Sequence, residues 1–256
     1  MSLRQVDSET NPARDGVALA PAHGAAEARP ATGGAQADPP RFGWLARLVG
    51  RVVAALLAVR HASWRKDLRD AAGIDRRLAA GERFIAVFWH GKYPPLFTLL
   101  GGRRACAFAS LSFRGQVIAE VCRRFGHVCE LLPHKGGKRS RALMRAALAG
   151  YAVGAIAVDG PLGPYHVPKS GAIEMASELG HALLPISMAA ARRKINTGRW
   201  DRMEMPRLFS RVVLAVGEPI HAPPGLGQDD HPVWLDRVRQ GLDAADARAE
   251  RLIGRA

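Results

Sequence analysis

The apolar positions of this chain follow two rhythms that alternate along its length. Short, nearly continuous apolar runs occupy residues 84–89 (FIAVFW), 105–110 (ACAFAS), 128–132 (VCELL), 153–158 (VGAIAV), 182–187 (ALLPIS) and 212–216 (VVLAV). Runs of this length predict strands buried on both faces. Between several of them, residues 114–125, 138–150 and 169–180 space their apolar side chains by three and four, and the last two stretches end in glycine, as helices do. A final amphipathic stretch, residues 234–253, predicts a closing helix. Strands alternating with helices predict an α/β fold, a central mostly parallel or mixed sheet covered by helices on both faces. Ligands of such sheets sit where loops converge at the carboxyl ends of the strands. Chemistry is therefore expected in the loops after residues 89, 110, 132 and 158.

Two segments stand outside this alternation. Residues 1–40 are rich in Ala, Gly, Pro and short polar residues, without apolar spacing of either period, and read as a disordered tail with none of the features of a secretory signal. Residues 41–72 begin with RFGWLARLVGRVVAALLAVRHASWRK, a helix that mixes aliphatic residues with Trp44 and Trp64 and with Arg47, Arg51, Arg60, Arg65 and Lys66. Its longest uncharged stretch, Val52 to Val59, is far shorter than the roughly 20 residues that span a bilayer. Two placements fit it: lying in a membrane interface with its arginines at the phosphates, or packing on the domain core. Residues 73–256 form the α/β domain.

Composition then narrows the partners. The tail carries three Arg against five Asp or Glu, so the net charge of +14 leaves +16 on residues 41–256. A charge of that size favours a polyanion, either nucleic acid or an anionic lipid surface. Nucleic acid is disfavoured, because aromatic residues are 6% of the chain and no base-reading motif is present. Cys106, Cys122 and Cys129 lack metal-site spacing and read as reduced core residues, and no metal is expected.

The four loops carry the candidate chemistry. His90 follows the first strand, where an imidazole is either a general base held by the strand behind it or a structural residue at the strand's end. Ser110, Ser112 and Arg114 follow the second strand. After the third, Lys135, Lys138 and Arg139 flank a Gly-Gly pair before a helix, a setting that suits a phosphate or a solvated basic turn. Asp159 opens the fourth loop, DGPLGPYH, either orienting an imidazole or initiating the turn. Hydrolase chemistry of the Ser-His-Asp kind fits poorly, because no Gly-x-Ser-x-Gly elbow occurs.

Taken together, FWHGKYPPLFTLL, SLSFRGQVIAEVCRRFG, VDGPLGPYHVPKSGAIEMASELGHALLPI and GRWDRMEMPRLFSRVVLAVGEPI resemble, in order and spacing, a bacterial family of uncharacterised function within the lysophospholipid acyltransferase superfamily. The similarity spans residues 45–225. It implies a glycerol-3-phosphate acyltransferase-like fold and transfer of a fatty acyl group to a hydroxyl of a lysophospholipid or related lipid. The donor would be acyl-CoA or an acylated acyl carrier protein, with no bound cofactor, and the setting the cytoplasmic face of the inner membrane. His90 matches the histidine of the superfamily's His-x4-Asp motif, whereas Pro95 stands at the position of its acid. Arg114-Gly115-Gln116 replaces a frequent Asp-Gly-Glu. Asp159-Gly160-Pro161-Leu162 corresponds to Glu-Gly-Thr-Arg, so Leu162 replaces the phosphate-binding arginine. The resemblance thus implies His90 as base and Asp159 as the surviving acid. It implies substrate binding by Gly160, Pro161, Gly163 and Pro164, with Lys135, Lys138 and Arg139 taking the headgroup charge. A lipid-binding accessory protein on the same fold is the alternative that the missing acids leave open.

Overall fold

The computed structural model describes residues 43–133 and 137–254. The expected tail, residues 1–40, and Lys135 lie outside them. In chain order the elements are α1 (Gly43–Ser63), β1 (Arg65–Asp67), α2 (Ala71–Ala79), β2 (Phe84–Phe88), α3 (Tyr93–Leu99), β3 (Cys106–Ser110), α4 (Phe113–Arg124), β4 (Val128–Leu132), α5 (Gly137–Gly150), β5 (Val153–Ala157), α6 (Gly171–Leu179), β6 (Ala182–Ala190), β7 (Arg193–Ile195), β8 (Glu204–Pro206), β9 (Arg211–Val216) and α7 (His231–Gly254).

Seven strands form one sheet in the order β1-β9-β6-β2-β5-β3-β4. The five strands from β6 to β4 run parallel, and β9 pairs antiparallel with β6 and parallel with β1, so the sheet is mixed, as the alternation of strands and helices predicts. Its central strand, β2, alternates its side chains between two cores. Phe84, Ala86 and Phe88 meet Ile74 of α2 and Leu96 and Leu99 of α3 on one face. Ile85, Val87 and Trp89 meet Leu148, Ile173 and Leu242 of α5, α6 and α7 on the other. The registers Phe88↔Ala157 and Ser110↔Leu132 bring the carboxyl ends of β2, β5, β3 and β4 to one edge of the sheet.

Several elements have no periodic signature. The sequence of α3, YPPLFTL, is apolar almost throughout and largely buried, with its prolines in the first turn, where the missing N–H groups have no intrahelical partner to lose. The strands β1, β7 and β8 have three residues each, too few to show a period; β1 exists through pairing with the distant β9, and β7 and β8 pair with each other as a hairpin.

The α1 helix ends at Ser63, and its continuation joins the sheet through β1. It packs on α4 through Ala46, Gly50, Ala54 and Leu57. A Cβ on Gly50 would lie 2.6 Å from Glu120 Cβ, so glycine permits the close crossing. Arg51 Nε lies 3.4 Å from Glu120 Oε1, and hydrogen bonds from Arg123, opposed by burial, hold the Glu120 carboxyl at about 2. The outward side carries Trp44, Leu48, Val52, Leu56 and Val59, each more than half exposed. Small residues inward and large apolar residues outward is the reverse of a core helix. Among the described residues, no helix is long and apolar enough to cross a membrane.

Candidate functional site

His90 begins a short 3-10 turn directly after β2 and Trp89, at the carboxyl edge of the sheet. Its backbone N–H donates to Asp159 Oδ1 at 2.8 Å, across the junction between the ends of β2 and β5. The ring is held by a different acid. Nδ1 lies 2.8 Å from Oδ2 of Asp201, whose side chain has no exposed surface. Arg199 grips the same carboxylate in bidentate fashion, Nε to Oδ1 and a terminal nitrogen to Oδ2, both at 2.8 Å. Burial raises the Asp201 carboxyl, but the hydrogen bonds from Arg199 and His90 outweigh it and hold the group at about 2. The carboxylate is therefore ionised at neutral pH and can only accept, which places the ring proton on Nδ1. Nε2 has no hydrogen-bond partner among the described residues, and the side chain keeps 18% of its surface exposed.

Asp201 lies in the connection between β7 and β8. Ile195 pairs with Glu204, and Asn196 N–H donates to Met203 O at 3.0 Å, closing the hairpin. Two glycines seat this hairpin against the rest of the site. A Cβ on Gly91 would overlap the Asp201 carbonyl oxygen. Gly163, with φ +73°, would place a Cβ 2.6 Å from the ring of Trp200. The Trp200 ring in turn lies 5.1 Å from that of His90, as does that of Tyr93. A stack completes the clasp: His166 lies on Trp89 at 4.3 Å, Tyr165 on His166, and the Arg202 guanidinium 4.6 Å from the Tyr165 ring centre.

Asp159 thus holds the backbone at His90, and the ring-orienting role expected of it falls to Asp201. The Asp159 carboxylate at the end of β5 is taken up by the backbone N–H of His90, whereas the imidazole is turned to Asp201 in the hairpin. Burial pushes the Asp159 carboxyl up, against the opposing hydrogen bond from the His90 N–H. Gly160 takes φ +65° and spends its N–H on Ala157 O, while Pro161 and Pro164 are exposed on either side of Gly163. Ser112 caps α4, its hydroxyl accepting from Gly115 N–H at 3.1 Å, and Ser110 Oγ lies 2.9 Å from Ser112 Oγ. Arg114 is exposed in the first turn of α4, and Lys138 and Arg139 in that of α5. At about 4.8 Å per strand, β3 ends roughly 10 Å from the His90 strand and β4 roughly 14 Å from it, so these groups border the site at a distance. The sequence signal for Asp201 is Arg199-Trp200-Asp201 itself, a buried-type aromatic between opposite charges in a loop.

The site is therefore an α/β edge on which a buried carboxylate fixes a histidine with one imidazole nitrogen free, a constellation able to take a proton from a hydroxyl. No family model and no curated protein matches the chain. Among solved structures it is similar to the 1-acyl-sn-glycerophosphate (LPA) acyltransferase PlsC from Thermotoga maritima, at 17% identity over 79% of this chain and 96% of that one, with a TM-score of 0.43.

Proposed function

We propose that the protein is an acyltransferase that moves a fatty acyl group from a thioester, acyl-CoA or acyl carrier protein, to a hydroxyl of a lysophospholipid or related lipid at a membrane surface. The observation that carries this reading is the His90–Asp201 pair with its free Nε2. In the first step Nε2 removes the acceptor hydroxyl's proton as the oxygen attacks the thioester carbonyl. The imidazolium that forms is stabilised by the Asp201 carboxylate. Collapse of the tetrahedral intermediate expels the thiolate, which recovers the proton from Nε2, leaving ester and free thiol. Asp201 supplies His90 with a carboxylate, which favours the enzyme over an accessory protein on the same fold. Lys138 and Arg139, with Lys135, remain the proposed headgroup contacts, and Leu162, 84% exposed, supplies no phosphate ligand. The test is purified protein with lysophospholipid and long-chain acyl thioester, scoring thiol release and diacyl product beside His90→Gln. Turnover that falls at least about 10²-fold in the variant is expected. No turnover by the wild type across a panel of acceptors would sink the enzyme reading.

The outward face of α1 supports peripheral attachment to an anionic membrane; the cytoplasmic face of the inner membrane is part of the proposal. Arg47, Arg51 and Arg60 accompany its apolar stripe, and the β8–β9 tip, where Phe209 N–H donates to Ser63 Oγ at 3.3 Å, adds a second exposed aromatic at its end. The other end lies beside the first turn of α4, with Gln116 3.7 Å from a Cβ on Gly43, and thus faces the site edge. The double variant Leu48→Asp/Leu56→Asp is expected to lose at least about tenfold in binding to phosphatidylglycerol-containing vesicles, measured by flotation, with its fold intact. Equal flotation of variant and wild type would argue against this face.

A further inference from the structure

Two residues beyond the proposed base, Lys92 turns its side chain into the interior, where 6% of its surface remains exposed. Its ammonium lies 3.1 Å from Met188 O and 3.2 Å from Ser187 Oγ on β6. It also lies 3.1 Å from Asp246 Oδ1 on α7 and 3.9 Å from Glu204 Oε1 on β8. Asp246 additionally accepts from the Ser187 hydroxyl. Glu204 is shared with Arg193 at 3.2 Å, and Arg193 reaches Glu250 of α7 at 2.8 Å. Two cations and three carboxylates thus join β6, α7 and the β7–β8 hairpin at one place. Burying a lysine is costly, and removing it would leave its carboxylates facing one another with less compensation.

The geometry of this cluster has a consequence for the active pair. Lys92 is two residues from His90, and Glu204 is three residues from Asp201. One ammonium therefore ties the segment that carries the base to the hairpin that carries the acid, although the two are 111 positions apart in sequence. Beyond it, the hairpin is seated by the Gly91 and Gly163 contacts and the Arg202–Tyr165 stack, which fix its tip. Lys92 and Arg193 fix its base.

We infer that Lys92 is a positioning residue, which keeps Asp201 in register with His90 through Glu204 and α7 and touches no substrate. The inference rests on the proposed role of the His90–Asp201 pair, and its readout is independent of turnover. In ¹⁵N-histidine-labelled full-length protein, the imidazole nitrogen shifts of His90, assigned by loss in His90→Gln, report which nitrogen carries the proton at alkaline pH. The wild type is expected in the Nδ1–H form. Lys92→Met, close in length and apolar, is expected to lower the Nδ1–H population at least about twofold, because the acid that selects that tautomer is no longer held. Leu148→Ala, which opens a cavity beneath α5 and touches none of the groups of the Lys92 cluster, is expected to lose stability without changing the tautomer. Should Lys92→Met fail to fold, Glu204→Gln, which cuts the same tie on the hairpin side, is expected to show the same loss. A wild-type tautomer in Lys92→Met, or in Glu204→Gln where that variant stands in, overturns the inference, as does an equal loss in Leu148→Ala. If the tautomer responds as expected while the wild type turns over no thioester, the positioning role stands and the acyltransferase reading falls.

Discussion

Asp201→Asn is expected to lower kcat/KM by about 10³ to 10⁴-fold, the largest effect of any substitution away from His90 itself. Both carboxylate oxygens receive donors from Arg199, and Oδ2 receives the His90 Nδ1–H as well. Whichever way an amide turns, its NH₂ meets an N–H, and the negative charge that stabilises the imidazolium is gone. Asp159→Asn supplies the contrast. Its carbonyl can still accept the His90 backbone N–H, and the neutral side chain suits a buried site whose carboxyl is already pushed up, so a loss within about tenfold is expected. Steady-state kinetics of the two variants side by side decide the matter. The opposite order, with Asp159→Asn the more damaging, would assign the acid's role to Asp159.

Gly91→Ala is expected to cost about 10²-fold in kcat, with the fold retained. The added methyl overlaps the Asp201 carbonyl oxygen, so either the His90 turn or the hairpin must move, and displacements of about 1 Å at a reacting group have effects of that order. The matched control is Gly171→Ala at the start of α6, where a Cβ meets nothing within 4 Å and activity should be unchanged. A fully active Gly91→Ala would mean that the Asp201 hairpin adjusts freely.

These two expectations fall on residues that differ in how visible they are from the sequence. His90 could be read from local pattern, because a buried strand announces itself by a continuous apolar run and its end is where that run stops. Asp159 could be placed for the same reason, at the end of VGAIAV. The partner of the imidazole could not be found in this way. The positions at which the resembled family carries its acids, Pro95 and Gln116, lie near His90 or along the same edge in chain order, and neither bears a carboxylate. The acid comes instead from a hairpin whose strands are three charged or mixed residues each, with no period to detect. Ser112 shows the complementary effect, a polar residue in a promising loop whose hydroxyl serves the first turn of α4.

The two faces of α1 divide similarly. Its apolar content and short uncharged core were legible, and both a packed and an interfacial helix remained open. The structure shows that the helix packs, through Ala46, Gly50 and Ala54, and still presents Trp44, Leu48 and Val59 outward. Which residues face in depends on how closely α4 approaches, a distance set by glycine against Glu120.

By itself, then, the sequence determined the α/β class, the strands that carry the loops and the placement of His90 and Asp159 at strand ends. These follow from short-range periodicity, which burial imposes on neighbours in the chain. Only the tertiary structure decided that Asp201 orients the base, that Arg199 holds Asp201 ionised and that Lys92 ties the two segments together. The His90–Asp201 and Lys92 contacts join residues about a hundred or more positions apart, and Arg199 meets Asp201 within one irregular loop; all act through charge and close packing, which leave no periodic trace in the chain.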